Sequence, residues 1–196
     1  MHNCMFSGHC IKESCDQSCP SLAESSFLME QNGISINSNV FHADPAALAK
    51  HTKIIESSEN KTLQTVIAKS TNAVSELLAY CAICKYYRGS RLHTTVYTLK
   101  LSQYLEKIQG SWSGSSNLDD LDYQKIWVEK AKILIISNID FVNFKDFQCQ
   151  TLLTLLQTRD KPGLSTIIVS PQTQSLVGSG LFFTRLQETL SRTTVK

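Results

Sequence analysis

The chain has no apolar run approaching the roughly 18 residues of a membrane span. Its first residues, MHNCMFSGHC, also lack the basic-then-apolar pattern of a secretory signal. Both absences point away from the membrane and set the cytoplasm as the expected location. A strong charge of one sign is missing too. The formal net charge is +2, so nucleic-acid binding would have to come from local clustering rather than from the field of the whole molecule. No serine or cysteine stands in a nucleophile-elbow context, and the histidines at 2, 9, 42, 51 and 93 are scattered. That leaves no hydrolytic constellation to argue from. The only dense carboxylates, Asp119, Asp120 and Asp122, read as a solvated helix start.

What is present is globular. With 196 residues, 42% hydrophobic and 18% charged, the chain can bury a core and hold one medium domain with an appendage. Local punctuation divides it. Residues 21–34, SLAESSFLMEQNGI, read as a short amphipathic helix stopped by Asn32-Gly33. Residues 35–46 have little periodicity and contain the turn-forming pair Asp44-Pro45. The expected organisation is a cysteine-rich module over 1–34, a linker over 35–46 and an α/β domain over 47–196. Within that domain Gly110–Leu118 is rich in glycine and serine and reads as a surface loop, and Asp119–Lys130 resumes with an acidic first turn suited to a helix start.

Four of the seven cysteines, Cys4, Cys10, Cys15 and Cys19, fall within the first twenty residues and are followed at once by Pro20. In a reducing compartment such density suggests metal rather than disulfides. Four thiolates can close a tetrahedral zinc site, with His9 or His2 as substitutes. The gaps of five, four and three residues contain no C-x-x-C knuckle, so an iron–sulfur cluster and free or bridged thiols stay open beside zinc. Cys81 and Cys84 do form C-x-x-C. They share a helical pattern with Leu77, Leu78 and Tyr80 and read as small core hydrophobes, as does Cys149 beside Leu152 and Leu153.

The most informative segment is the apolar run LQTVI (63–67), followed by AKSTNAVS (68–75) and a long helical pattern from Ala73 to Tyr87. Strand, loop, helix is the arrangement of a phosphate cradle. In a working cradle glycines admit the phosphates, a lysine reaches them and a Ser/Thr hydroxyl holds magnesium. Here Ala68, Thr71 and Ala73 occupy the glycine slots, Val74 the lysine slot, and only Ser75 keeps its chemistry. Lys69 is the one lysine nearby and sits at the wrong end of the loop. A second buried-strand pattern, KILIIS (132–137), would end in acidic residues in an ATPase. Ser137 and Asn138 stand in those slots instead, and Asp140 lies two residues beyond.

From about Leu63 to Leu190, roughly two-thirds of the chain, the order and spacing of these segments resemble the AAA+ core of bacterial helicase loaders of the DnaC/DnaI type and related phage and transposon replication ATPases. The resemblance continues through HTTVYTL (93–99), FQCQTLLTLLQTRDKPGLSTIIVSP (147–171) and GSGLFFTRL (178–186). It implies a P-loop, AAA+/RecA-like parallel sheet and, at Arg185, an arginine that faces a neighbouring subunit's nucleotide. It also implies a replicative helicase or AAA+ loader subunits as partners. The departures imply that ATP is not a cofactor: both nucleotide motifs lack their chemistry, and Pro171 replaces the polar residue expected after the last strand. An ordinary α/β domain unrelated to P-loop proteins is the alternative for the fold.

One basic patch remains: Lys85, Tyr86, Tyr87, Arg88 and Arg91 at the end of the first long helix. Tyrosines interleaved with cations suit a nucleic-acid backbone, and equally suit a helix C-terminus that completes a core. The functional expectation is a catalytically inactive, helicase-loader-like adaptor or scaffold in DNA replication. A weak ATPase with an atypical site and an inhibitor of a host loader are the alternatives.

Overall fold

The computed structural model describes residues 20–35, 37–86, 96–114, 118–137, 144–171 and 181–195. The cysteines at 4, 10, 15 and 19, together with Tyr87, Arg88, Arg91, Asn138 and Asp140, lie outside the described residues. Among the described residues no helix is long and apolar enough to cross a membrane.

The fold is α/β around a parallel sheet. In chain order the elements are α1 (Pro20–Gln31), a short 3-10 helix (Asn39–His42), α2 (Pro45–Ser58), β1 (Leu63–Ile67), α3 (Thr71–Tyr86), β2 (Val96–Lys100), α4 (Leu101–Trp112), α5 (Leu118–Lys130), β3 (Ile133–Ser137), α6 (Asp146–Asp160), β4 (Ser165–Ser170), α7 (Leu181–Ser191) and β5 (Thr194–Val195). Strands align in the order β2-β3-β4-β1-β5, every pair parallel, with β5 a two-residue edge. Register runs from Leu63 opposite Thr166 to Ile67 opposite Ser170, and from Val96 opposite Ile133 to Lys100 opposite Ser137.

This order dictates where the helices go. Parallel crossovers are right-handed almost without exception. The step from β1 to β2 runs across the sheet in one direction, and every later step runs in the other. The helix α3 must therefore cover one face, and α4 to α7 the opposite face. The buried clusters divide accordingly. Ile133, Ile135, Ile167 and Val169 pack under α1, α2 and α3. Leu134, Ile136 and Ile168, the alternate residues of the same strands, pack under α4, α5, α6 and α7. Both β3 and β4 are buried along their whole length, which is why they read as continuous apolar runs rather than alternating ones. Each fully buried aliphatic side chain there contributes about 1.5–3 kcal/mol.

Three sequence expectations need adjustment. First, no break in packing marks residues 34 or 46. Leu28, Met29 and Ile34 are buried in the same cluster as α2 and α3, and Val40 of the expected linker is buried with them. Second, α4 continues through Gly110 and Ser111 to Trp112, where a loop was expected. The Trp112 ring packs edge-on against Phe147 with centroids 4.8 Å apart, and that tertiary contact outweighs the poor helix propensity of glycine and serine. Third, His51, one of the scattered histidines, is not on the surface: it is buried in α2 with Nδ1 2.6 Å from the Ala47 carbonyl oxygen.

Asn32 does more than stop α1. Gly33 adopts φ 75°, the left-handed turn that ends the helix, and the buried Asn32 amide then reaches the sheet edge. Its Nδ2 donates to Leu28 O at 2.8 Å and to Val96 O at 3.3 Å, and its Oδ1 accepts from Thr98 Oγ1 at 2.9 Å. β2 is an outer strand, and Asn32 covers part of its open edge. Asn32→Ala removes these bonds and leaves buried polar groups unpaired. The expected cost is about 1–3 kcal/mol, read as a lower urea midpoint at unchanged m-value.

Candidate functional site

In open α/β sheets, ligands bind outside the carboxyl ends of strands where neighbouring connections leave for opposite faces. Here that point lies between β1, whose chain passes to α3 on one face, and β4, whose chain passes to α7 on the other. The crevice is bordered by Ala68, Lys69 and Ser70, the first turn of α3, Ser170 and Pro171.

The connection from β1 to α3 is only three residues, Ala68–Ser70. The Ala68 N–H donates to Ser170 O at 2.9 Å, one rung past the end of β1, and the Val74 N–H donates to Ser70 O at 3.2 Å. Ser70 is therefore already the entry to the helix. The positions matched to glycine, lysine and magnesium-ligand slots, Thr71, Ala73, Val74 and Ser75, all lie within α3. A phosphate cradle needs an extended loop whose successive N–H groups converge on one point, and a helix that starts this early leaves no such loop. Val74 packs against the core beside Leu77. Ser75, the one slot that kept its chemistry, is buried and donates its hydroxyl to Thr71 O at 2.7 Å. That bond turns it back onto its own helix. Lys69 is exposed. Ser137 ends β3 buried, opposite Lys100 of β2.

Beside the crevice, between the first turns of α3 and residues 35–43, lies a cleft of about 540 Å³. Serine and asparagine side chains line it, together with Glu76, whose carboxylate accepts from Ser38 Oγ at 2.7 Å. Among the described residues that line it there is no lysine or arginine. A lone carboxylate among neutral amides and hydroxyls opposes a polyphosphate rather than attracting one.

The other candidate residues are dispersed. Arg185 is exposed on α7. Lys85, near the end of α3, lies at the amino ends of the strands, 3.4 Å from Glu56 and 3.6 Å from Glu59 of the α2 region. Tyr86 donates its hydroxyl to Glu59, and the Lys132 ammonium sits 4.3 Å from the centre of the Tyr86 ring. The Tyr86 hydrogen bond, followed by the nearby lysines, holds the Glu59 carboxyl below its ordinary value, while burial and Glu59 push the Tyr86 phenol up. The described part of the basic patch is thus an ion-pair network tying α2, α3 and β3 together. Lys85 is not a cation presented to a polyanion. Burial raises the Cys81 and Cys149 thiols above the ordinary thiol range. That is the behaviour of core thiols and not of nucleophiles. Among the described residues no group of three or more His, Cys, Asp or Glu could hold a metal ion.

Sequence reasoning missed Arg159. It is fully buried in α6 without a carboxylate partner among the described residues. Its Nε donates to Thr166 Oγ1 at 2.9 Å, Nη1 to Val128 O at 2.7 Å and Glu129 O at 3.4 Å, and Nη2 to Ala131 O at 2.9 Å and Ser165 O at 2.6 Å. Its role is architectural: it closes the C-terminus of α5 against the starts of β3 and β4. The one local signal was a lone arginine behind the apolar run LLTLL, with no glycine after Lys130 to cap α5.

No family model, curated protein or solved structure matches this chain.

Proposed function

We propose that the chain is a catalytically inactive, AAA+-like adaptor or scaffold subunit in DNA replication, of the helicase-loader type, with zinc held by Cys4, Cys10, Cys15 and Cys19. The observation that carries the reading is the sheet order around the crevice. An AAA+ core inserts one strand between its phosphate-loop strand and its acidic strand, and β4 stands between β1 and β3 here. Neither common doubly wound order does this together with β2 at the outer edge. The inactivity rests on a different observation: a three-residue connection running straight into α3, with no cation among the described residues that line the neighbouring cleft. The partners are a replicative helicase or AAA+ loader subunits, and Arg185 is the residue through which the chain would complete a neighbour's nucleotide site.

Two measurements test this. With magnesium-ATP at millimolar concentration, no hydrolysis above background and no rise in melting temperature are expected, because the charge, the backbone cradle and the metal ligands are missing together. A saturable thermal shift would overturn the inactive reading in favour of a weak ATPase with an atypical site. Pull-down with a replicative helicase, followed by a loading assay, tests the adaptor role. Binding with stimulated loading is the expected outcome, and binding with blocked loading would make the chain an inhibitor.

A further inference from the structure

We propose that a pocket at the amino ends of the strands binds a free, zwitterionic amino acid with an aliphatic side chain. The pocket has a volume of about 270 Å³ and lies between the start of β1 and the last turns of α6 and α7. It is at the opposite end of the sheet from the crevice described above, and it stands apart from the replication reading. Its floor is apolar. Leu153 and Leu156 of α6 are buried there, and Leu63 of β1 is half-buried beside them. An aliphatic side chain laid on these leucines leaves water, which is the main gain available to a small ligand in such a site.

The rim carries one charge of each sign. Asp160 is the last residue of α6, Arg192 directly follows α7, and both are exposed. Among the described residues neither side chain makes an ion pair or a hydrogen bond, with the other or with any third group. Opposite charges that share a rim without neutralising each other offer two separate points of attachment. The carbonyl end of α6 adds negative potential at Asp160, so an ammonium belongs there. The Arg192 guanidinium presents a planar fork that a carboxylate fills with two parallel hydrogen bonds. Two of the rim hydroxyls are committed elsewhere: Thr189 Oγ1 donates to Arg185 O at 2.8 Å and Thr193 Oγ1 to Leu190 O at 3.1 Å. The ligand is therefore held mainly by its two charges and its apolar body. An α-amino acid such as leucine carries all three within one small molecule. A peptide terminus or a fatty acid brings only one of the two charges, and a pocket near the lower limit of ligand sites, about 300–1,000 Å³, suits the smaller molecule.

A chemical-shift titration of the full chain with L-leucine, followed by NMR, tests this. Saturable binding with Kd on the order of 0.1 mM is expected for so small a ligand. Isopentylamine, which lacks the carboxylate, and 4-methylpentanoate, which lacks the ammonium, should each bind roughly tenfold more weakly or worse. Arg192→Gln and Asp160→Asn should each weaken leucine by a similar factor without changing the melting temperature of the free protein, because both side chains are exposed and unpaired. Arg192→Gln should not weaken isopentylamine, nor Asp160→Asn 4-methylpentanoate, since each variant removes the contact that its analogue does not use. No saturable binding of leucine up to about 10 mM, a hundredfold above the expected Kd, overturns the inference. Binding that both variants leave unchanged overturns it too, since leucine would then sit elsewhere. So does an amine or acid analogue that binds as tightly as leucine, since Asp160 and Arg192 would then be ordinary solvated charges.

Discussion

Arg159→Met is expected to lower stability by about 3–5 kcal/mol, the scale set by opening a buried, hydrogen-bonded charge site. The guanidinium satisfies four backbone carbonyls at once. Val128 and Glu129 lie in the last turn of α5, where helix carbonyls have no intrahelical donor. Many helices solve this with a glycine in the left-handed conformation, but Ala131 and Lys132 follow α5. Arg159 supplies the missing donors from α6 and binds Ala131 O and Ser165 O with the same nitrogen. Burial pushes its pKa down to about 10, which leaves it charged at neutral pH. A methionine fills the volume and keeps none of the donors, so four backbone acceptors are stranded. Arg159→Lys preserves the charge but not the planar fork, and it should recover only a minor part of the loss. Urea denaturation checks both variants. An unchanged midpoint for Arg159→Met at constant m-value would show that water or rearranged backbone satisfies those carbonyls, and the capping account would fall.

The readable parts of this chain were those whose physics is local. LQTVI reads as a strand from its length and apolar character, and KILIIS as a parallel strand buried on both faces; Leu63–Ile67 and Ile133–Ser137 are strands of the sheet. Asn32-Gly33 announced a helix stop, and Gly33 has the required positive φ. The lack of glycine over 68–75 was equally plain. Its structural consequence was not, because it depends on how far α3 extends. With no glycine to favour a loop, the helix begins at Thr71 and takes four of the five matched slots into itself. The remaining misses involve partners distant in sequence. The basic patch could be read either way until Glu56 and Glu59 are seen beside Lys85. Gly110 and Ser111 read as loop until Phe147 is seen under Trp112. Arg159 gives no sign of its role until the end of α5 is seen to lack a cap.

Purified without chelators, the full chain is expected to carry about one zinc, as one tetrahedral site requires, and Cys15→Ser combined with Cys19→Ser should remove it entirely. Little else in the sequence could order the first residues. Met5, Phe6 and Ile11 are the only large apolar side chains among the four cysteines, far too few to offset the entropy of fixing that much backbone. A metal supplies the difference: structural zinc binding contributes about 10–16 kcal/mol of apparent free energy in small modules. The fold adds a second reason. Cys19 immediately precedes Pro20, the first residue of α1, and a thiolate at the positive end of a helix is stabilised. Because α1 is fastened to the α/β core through Leu28, Met29 and the Asn32 amide, a metal site built onto its start would be tied rigidly to the rest of the molecule. The double variant should therefore lose its metal while the core still unfolds cooperatively, with a melting temperature near that of the wild type. Elemental analysis gives the answer directly. Iron with inorganic sulfide would replace zinc by a cluster on the same thiolates. A metal-free wild type whose first nineteen residues resist proteolysis would show that something other than a metal orders them.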